Sequence, residues 1–301
     1  MPSAPPTTAR LDSPFLVPFD GGFDLATRAT EPPEGVPGRK ALRKAREART
    51  EALGLLQRRL YAHHRHSVLL IFQAMDAAGK DGTIRAVMSG VDPSGCSVHS
   101  FGPPSSEERE HDFLWRTTVR LPLKGRIGIF NRSYYEEVLI VRVLPSLLEG
   151  QELPRALPVE QRFEERYESI RDFETHLARN GTTVIKFFLN VSAGEQRRRL
   201  LQRLDDPERN WKFNPGDLDS RAQWDEYQVA YRDALAETSR PHAPWYCIPA
   251  DDKRYMRLQV ADIVVNTIEA LDPTWPEMPT EHKARLSDFR AALDHDDPTG
   301  S

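Results

Sequence analysis

The stretch Ser67-Val-Leu-Leu-Ile-Phe-Gln73, followed by Ala74-Met-Asp-Ala-Ala-Gly-Lys-Asp-Gly-Thr83, decides the architecture. An apolar run of strand length breaks into a loop of small residues, ends in Gly79-Lys80 and gives way to a helical pattern. A P-loop holds a phosphate chain with these parts in this order. Backbone N–H groups at the start of the new helix point at the anion, and the lysine adds a compact positive charge. Ala77, Ala78, Gly79, Asp81, Gly82 and Thr83 then become the expected phosphate-binding residues around Lys80. This copy departs from the usual pattern in three places. Ala74 stands for the first glycine, Asp81 replaces the Ser or Thr that holds magnesium, and Asp76 puts an acid inside the anion cradle. An acid there repels phosphate unless it holds a metal or accepts a proton, so Asp76 reads as a chemical group. The competing reading is an ordinary strand-to-helix turn, against which the Gly-Lys pair and the inserted acid weigh together.

The rest of the chain sets the frame. With 301 residues, 39% hydrophobic and 29% charged, it has the makings of a globular protein of one large domain or two average ones. No apolar run approaches the roughly 20 residues that span a bilayer, and the start lacks a basic-then-apolar signal pattern, so no membrane partner is expected. Cys96 and Cys247 lie far apart and suit a reducing compartment, which makes the cytoplasm the expected location. A net charge of −4 names no partner and counts against nucleic acid, so any anion site must come from local clustering.

Residues 1–38 are rich in Pro, Thr and Gly and read as an extended arm, with Phe15, Leu16, Val17 and Phe19 available to dock on the body. A helix is expected over 39–63, with Leu42, Leu55, Leu56 and Leu60 on its apolar side. Short strands are expected over 68–72, 97–101, 126–130, 184–191 and 245–249, each followed by helix. Ser105 with Glu108 forms a predicted capping box, opening a helix that carries Phe113, Leu114 and Trp115. Further helices are expected over 134–143, through Phe163 and Leu177 up to Asn180-Gly181, and over 252–271. Five strands alternating with helices argue for an α/β fold with a five-stranded parallel sheet covered on both faces, its ligands beyond the strands' carboxyl ends. A tail over 273–301 follows the domain of 39–272.

The third strand runs into Phe130-Asn-Arg-Ser-Tyr-Tyr-Glu-Glu137. A second P-loop element normally places a magnesium-holding Asp there; here the position is Asn131, followed by Arg132 with its rigid donor fork. A dense basic stretch, from Arg197 to Arg221, contains turn signals at Asp205-Asp-Pro207 and Asn214-Pro-Gly216. It reads as a helical lid over about 197–225 that closes over substrates and excludes water. Arg203, Arg209 and Lys212, nearest the turns, are its candidate ligands, whereas Arg197, Arg198 and Arg199 read as a solvated helix face. Arg116 and Arg120, beside Trp115, are candidates for an anion channel or for snorkelling over a packed tryptophan. The three histidines of His63-His-Arg-His66 form no tetrahedral metal set by themselves.

Taken together, these motifs resemble the polyphosphate kinase 2 family. Trp211-Lys-Phe213, Trp224-Asp-Glu-Tyr227, Ala243-Pro-Trp-Tyr246 and Pro249-Ala-Asp-Asp-Lys253 add to the two loops above, in family order over about residues 40–272. The resemblance implies a thymidylate-kinase-like P-loop fold, a three-layer α/β/α sandwich with a lid. It implies transfer of the terminal phosphate of inorganic polyphosphate to a nucleotide, or the reverse, with Mg²⁺ or its substitute Mn²⁺, by a homo-oligomer (dimer or tetramer). By position, Asp76, Lys80 and Arg132 would be catalytic, with Asp76 also on the metal, and Asn131, Ser133, Tyr134 and Glu137 would face the nucleotide. Many members have Asp where this chain has Asn131. The Asn form resembles the branch acting on both nucleoside mono- and diphosphates, so AMP, ADP, ATP and their guanine counterparts are the expected nucleotides.

The chemistry agrees with the residues. A nucleotide's terminal phosphate is already a nucleophile at neutral pH, so the protein needs to align and neutralise two polyanions rather than supply a strong base. The rival enzyme is an ATP-consuming small-molecule kinase, which needs a base pocket on the donor side where a polymer needs a long positive groove. The rival outside enzymes is an inactive polyphosphate-binding module, which has no use for Asp76.

Overall fold

The computed structural model describes residues 13–151, 153–155 and 157–295. Five strands form where the alternation predicts them: β1 Ser67–Gln73, β2 Cys96–Ser100, β3 Ile127–Asn131, β4 Thr182–Asn190 and β5 Trp245–Pro249. They pair in parallel throughout, in the order β2-β3-β1-β4-β5. Every residue of β1 and β5 is buried. That uninterrupted burial is why β1 reads as a continuous apolar run rather than an alternation: both of its faces are covered.

The helices of seven residues or more are α1 Arg39–His63, α2 Lys80–Val87, α3 Val159–Arg179, α4 Ala193–Asp205, α5 Gly216–Ala222, α6 Trp224–Thr238, α7 Lys253–Ala270 and α8 Leu286–His295. α1 and α2 pack with α7 in one layer; α3 and α6 pack together in the other, along with the turns after β3. The result is an α/β/α sandwich. Between α3, α6 and the sheet lies a fully buried ion pair, Lys186 Nζ to Glu174 Oε2 at 2.6 Å. Tyr134 and Tyr135 both donate their hydroxyls to Glu174, so the pair is embedded in hydrogen bonds that offset part of its desolvation.

The connection leaving β1 runs by α2 to β2, on one side. The chain leaving β3 crosses β1 by α3 to reach β4, on the other. The loops after β1 and β3 therefore part, and a crevice opens between the carboxyl ends of neighbouring strands. At the other edge the arm adds to the sheet: Val17 N–H donates to Trp245 O and Cys247 N–H to Phe15 O. Val17, Phe23 and Leu25 are buried there, so the docking segment extends past Phe19.

Two expected helices come out differently. The Ser105–Glu108 capping box forms, but its helix stops after Ser106–Arg109, and Trp115–Thr118 makes a separate turn. Over 134–143 the chain makes a 3₁₀ stretch, Tyr134–Val138, then a single turn, Ile140–Val143. Leu139 breaks the two at φ −112° and ψ −84°. With Val138, Leu139 and Val141 all buried, packing sets this segment's path over helical propensity.

Candidate active site

The loop after β1 makes its turn with two left-handed residues, Ala77 at φ 60° and Gly79 at φ 109°. Glycine tolerates that conformation freely, whereas alanine is strained by order of 1 kcal/mol. Gly79 is the N-cap of α2 and leaves the helix's first amides without a side-chain cap. The loop therefore offers an anion cradle of bare N–H groups. Lys80 folds back across it, with Nζ 2.7 Å from Ala74 O and 3.5 Å from Met75 O. Burial and then the Arg132 charge lower the Lys80 pKa, against Asp76, Glu136 and Asp81.

Arg132 reaches the same point from β3. Its N–H donates to Phe72 O, continuing the ladder, while φ 64° swings its side chain over the loop. Nη2 meets Asp76 Oδ1 at 2.8 Å, with both side chains partly open to solvent. Glu136, half-buried behind them, has its carboxyl pKa raised by burial, against Arg132 and Lys80. Burial works against the Arg132 charge, and Glu136 and Asp76 more than restore it. Two cations and two acids thus alternate at the head of the crevice.

Asn131 turns its amide to α2, donating to Asp81 Oδ1 at 2.7 Å. That leaves its Oδ1 buried without a hydrogen-bond partner. The far wall is α4, the Asn210–Lys212 turn and α5. Arg203 donates to Asp217 Oδ2 at 2.9 Å, Arg209 pairs with Asp206 at 2.8 Å, and Lys212 lies over the ring of Trp211, which is 77% exposed. Between these walls is a cavity of about 910 Å³, lined by nine Lys or Arg side chains against four Asp or Glu. Its chemistry is that of a polyanion site.

Of the sequence-predicted residues, Asp76, Ala77, Ala78, Gly79, Lys80, Asp81, Gly82, Asn131, Arg132, Arg203, Arg209 and Lys212 all line this cavity. Thr83 does not: it is fully buried, its hydroxyl bonded to Gly79 O. Ser133 and Tyr134, expected to face the nucleotide, lie buried outside the cavity lining: Ser133 caps the 3₁₀ stretch and Tyr134 donates its hydroxyl to Glu174. Glu137 pairs with Arg166 and, with Arg116, lines a separate cavity of about 260 Å³. Arg116 donates to Gly102 O, and Arg120 is exposed outside the cleft.

Sequence reasoning missed Arg199. Expected on a solvated face, it is 4% exposed and donates to the carbonyls of Ala77, Ala78, Ala250 and Asp251. A signal was available: Gln196, Arg199, Leu200 and Arg203 recur at helical spacing on one side of α4. Glu136 and Arg257 were also missed.

The family model for polyphosphate kinase 2 matches residues 38–275. The chain belongs to the polyphosphate kinase 2 family. Among its relatives, an ADP-polyphosphate phosphotransferase of Rhodopseudomonas palustris is 53% identical over 244 residues, covering 81% of this chain and 84% of its own. An AMP/ADP-polyphosphate phosphotransferase of Meiothermus ruber is 46% identical over 273 residues, covering 88% and 96%. The crystal structure of polyphosphate kinase 2 from Arthrobacter aurescens superposes with a TM-score of 0.82 at 37% identity, covering 95% of this chain and 99% of that one. The P-loop kinase fold of the polyphosphate kinase 2 family is therefore this chain's fold.

The site suits a hard divalent cation. Among the described residues no three His, Cys, Asp or Glu side chains are gathered into a metal cage. Mg²⁺ needs no such cage, since it typically takes one or two carboxylates and fills its shell with water and substrate phosphate. The Asp76 and Asp81 carboxylates and the orphaned Asn131 Oδ1 are oxygen donors of that kind, at the mouth of the phosphate loop.

Proposed function

We propose that this protein transfers the terminal phosphate of inorganic polyphosphate to nucleoside mono- and diphosphates, making ADP from AMP and ATP from ADP, and that it runs in reverse. Guanine nucleotides are accepted in the same way. The observation that carries the reading is the Asp76–Arg132 pair beside Lys80, at the head of a large cleft in which cations outnumber acids. The names of the relatives, phosphotransferases between polyphosphate and ADP or AMP, support it.

An oxygen of the acceptor's terminal phosphate attacks the last phosphorus of the chain. The bridging P–O bond breaks, and the polymer leaves shorter by one unit with the bond's electron pair on its new terminal oxygen. Lys80 and Arg132 neutralise the oxygens of the phosphoryl group in transit, where charge is spread in the transition state. Asp76 holds the Arg132 fork in place until phosphate displaces it. Arg203, Arg209 and Lys212 grip the donor chain from the lid, and closure keeps water from competing. Mg²⁺, or Mn²⁺, held through Asp76 with Asn131 and Asp81 nearby, would supply further neutralisation of the two facing polyanions.

The test is incubation with polyphosphate, Mg²⁺ and either AMP or ADP, beside Lys80→Ala and Asp76→Asn. ADP and ATP are expected from AMP, with the Lys80 variant slower by at least about 10²-fold. ADP alone would restrict the acceptor to monophosphates. No product from polyphosphate, with ATP consumed when small acceptors are offered, would overturn the donor assignment.

A further inference from the structure

Beside the active cleft a second cavity, of about 490 Å³, opens between the first turns of α1 and α7. Apart from Leu42 its walls are cations: Arg39, Lys40, Arg43 and Arg46 from α1, with Arg254 and Arg257 from α7. Arg257 lines both cavities. Its Nη2 sits 2.9 Å from where a Cβ on Gly82 would be, so it rests on the first turn of the phosphate loop's own helix. The basic groove thus begins where the active cleft ends.

Three observations set this cluster apart from an ordinary charged surface. Among the described residues, Glu47 is the acid that pairs with groove cations, at 3.5 Å from Arg43 and 3.9 Å from Arg46, and exposed. The other nearby acids are engaged: Asp262 with Arg49, Asp252 with the N-terminus of α7, and Glu195 with Arg198 and Arg199. Second, Arg257 makes no ion pair or side-chain hydrogen bond among the described residues, so the protein itself leaves its half-buried charge uncompensated. Third, Arg39 and Lys40 open α1, at the positive end of its dipole, behind a glycine cap that leaves the first amides bare. Helices favour acids there, so local stability does not account for the two cations. Arg46, Arg199, Arg254 and Arg85 also add their repulsion to burial in depressing the Arg257 pKa.

We propose that this groove is a distal subsite for the inorganic phosphate polymer: the donor chain leaves the active cleft past Arg257 and continues between α1 and α7, so that long donors bind more tightly than short ones. The inference rests on polyphosphate being the donor. A phosphate polymer carries charge at every unit and asks only for cations. Single-stranded nucleic acid gains affinity from aromatic platforms, and this groove has none.

The test compares the wild type with Lys40→Ala/Arg43→Ala/Arg254→Ala, three exposed side chains outside the active cleft. Tripolyphosphate and long-chain polyphosphate are each titrated, as donors to ADP and as competitors of end-labelled long chain in an anisotropy assay. For long chains KM and the dissociation constant are expected to rise about tenfold, with a shallower salt dependence as three phosphate contacts are lost. Tripolyphosphate affinity, the KM for ADP and kcat are expected to stay within a factor of two or so, which also reports that the variant folds. Equal losses for both donors, or no loss for either, would overturn the proposal. So would single-stranded DNA displacing the labelled chain as well as polyphosphate does. Length-dependent binding without phosphate transfer would keep the groove and overturn the donor assignment instead.

Discussion

Four carbonyl oxygens, from the loops after β1 and β5, converge on the guanidinium of Arg199, which Glu195 also holds at 2.6 Å. Arg199 is a strap: it fixes the back of the phosphate loop so that the amides can face outward. Removing it leaves several buried carbonyls without a donor, so Arg199→Ala should cost roughly 3 kcal/mol of stability and most of the phosphotransfer. Arg199→Lys keeps the charge but loses the fork, and should fall between the two. Urea unfolding beside a transfer assay checks both; a stable, active alanine variant would refute the strap. A sequence shows Arg199 as one more arginine in a row of three. The four carbonyls it holds lie 51 to 122 residues away, which no helical periodicity reports.

Among the elements, α1 and the Met88–Gly90 turn meet backbone to backbone. A Cβ on Gly54 would lie 2.3 Å from Gly90 O, and one on Gly90 would lie 2.7 Å from Thr50 O. Neither atom is the end of a flexible side chain, so nothing can give way cheaply. Gly54→Ala should therefore destabilise by about 1–3 kcal/mol, although alanine suits a helix better than glycine. A lowered thermal midpoint with an unchanged KM for nucleotide is the expected outcome, and an unchanged or raised midpoint would refute the crossing. α1 itself was legible to the residue, because 25 residues of apolar periodicity leave little choice. The chain over 134–143 was not, since its apolar residues serve the core at a sharp bend where period and helix part company.

The sheet as a whole separates chemistry from stability. The phosphate loop and the cations of the cleft gather at the carboxyl ends of the strands, while His242 lies just before β5, at the opposite end. Burial, then Lys186, Arg240 and Arg179, lower its pKa to about 4. Above pH 6.5 it is neutral folded and unfolded alike. As pH falls from 6.5 toward 4 the unfolded chain takes up a proton that the folded protein refuses, so stability is lost over that window. The loss should reach about 3 kcal/mol at its acid limit. His242→Gln should flatten the fall measured by urea unfolding between pH 7 and pH 5; an unchanged slope would mean other groups carry it. The same neighbourhood holds the Lys186–Glu174 pair, with the Lys186 ammonium pushed down to about 8 by burial. None of the described helices is long and apolar enough to cross a membrane.

The sequence by itself determined the five parallel strands, the phosphate loop and the two motifs that meet at the crevice. These are local: a strand's apolar run, a Gly-Lys turn and a helix cap are each written within a dozen neighbouring residues. Tertiary structure alone decided which polar groups face the crevice. Ser133 and Tyr134 follow Arg132 directly, yet the positive φ of Arg132 and the buried Glu174 send them into the core. Arg199 and Glu136 were drawn into the site, and Arg257 was set at its edge beside Arg46, by packing between elements far apart in the chain. Burial is a property of the whole molecule, and for a charged side chain it is burial that separates a solvated face from a ligand site.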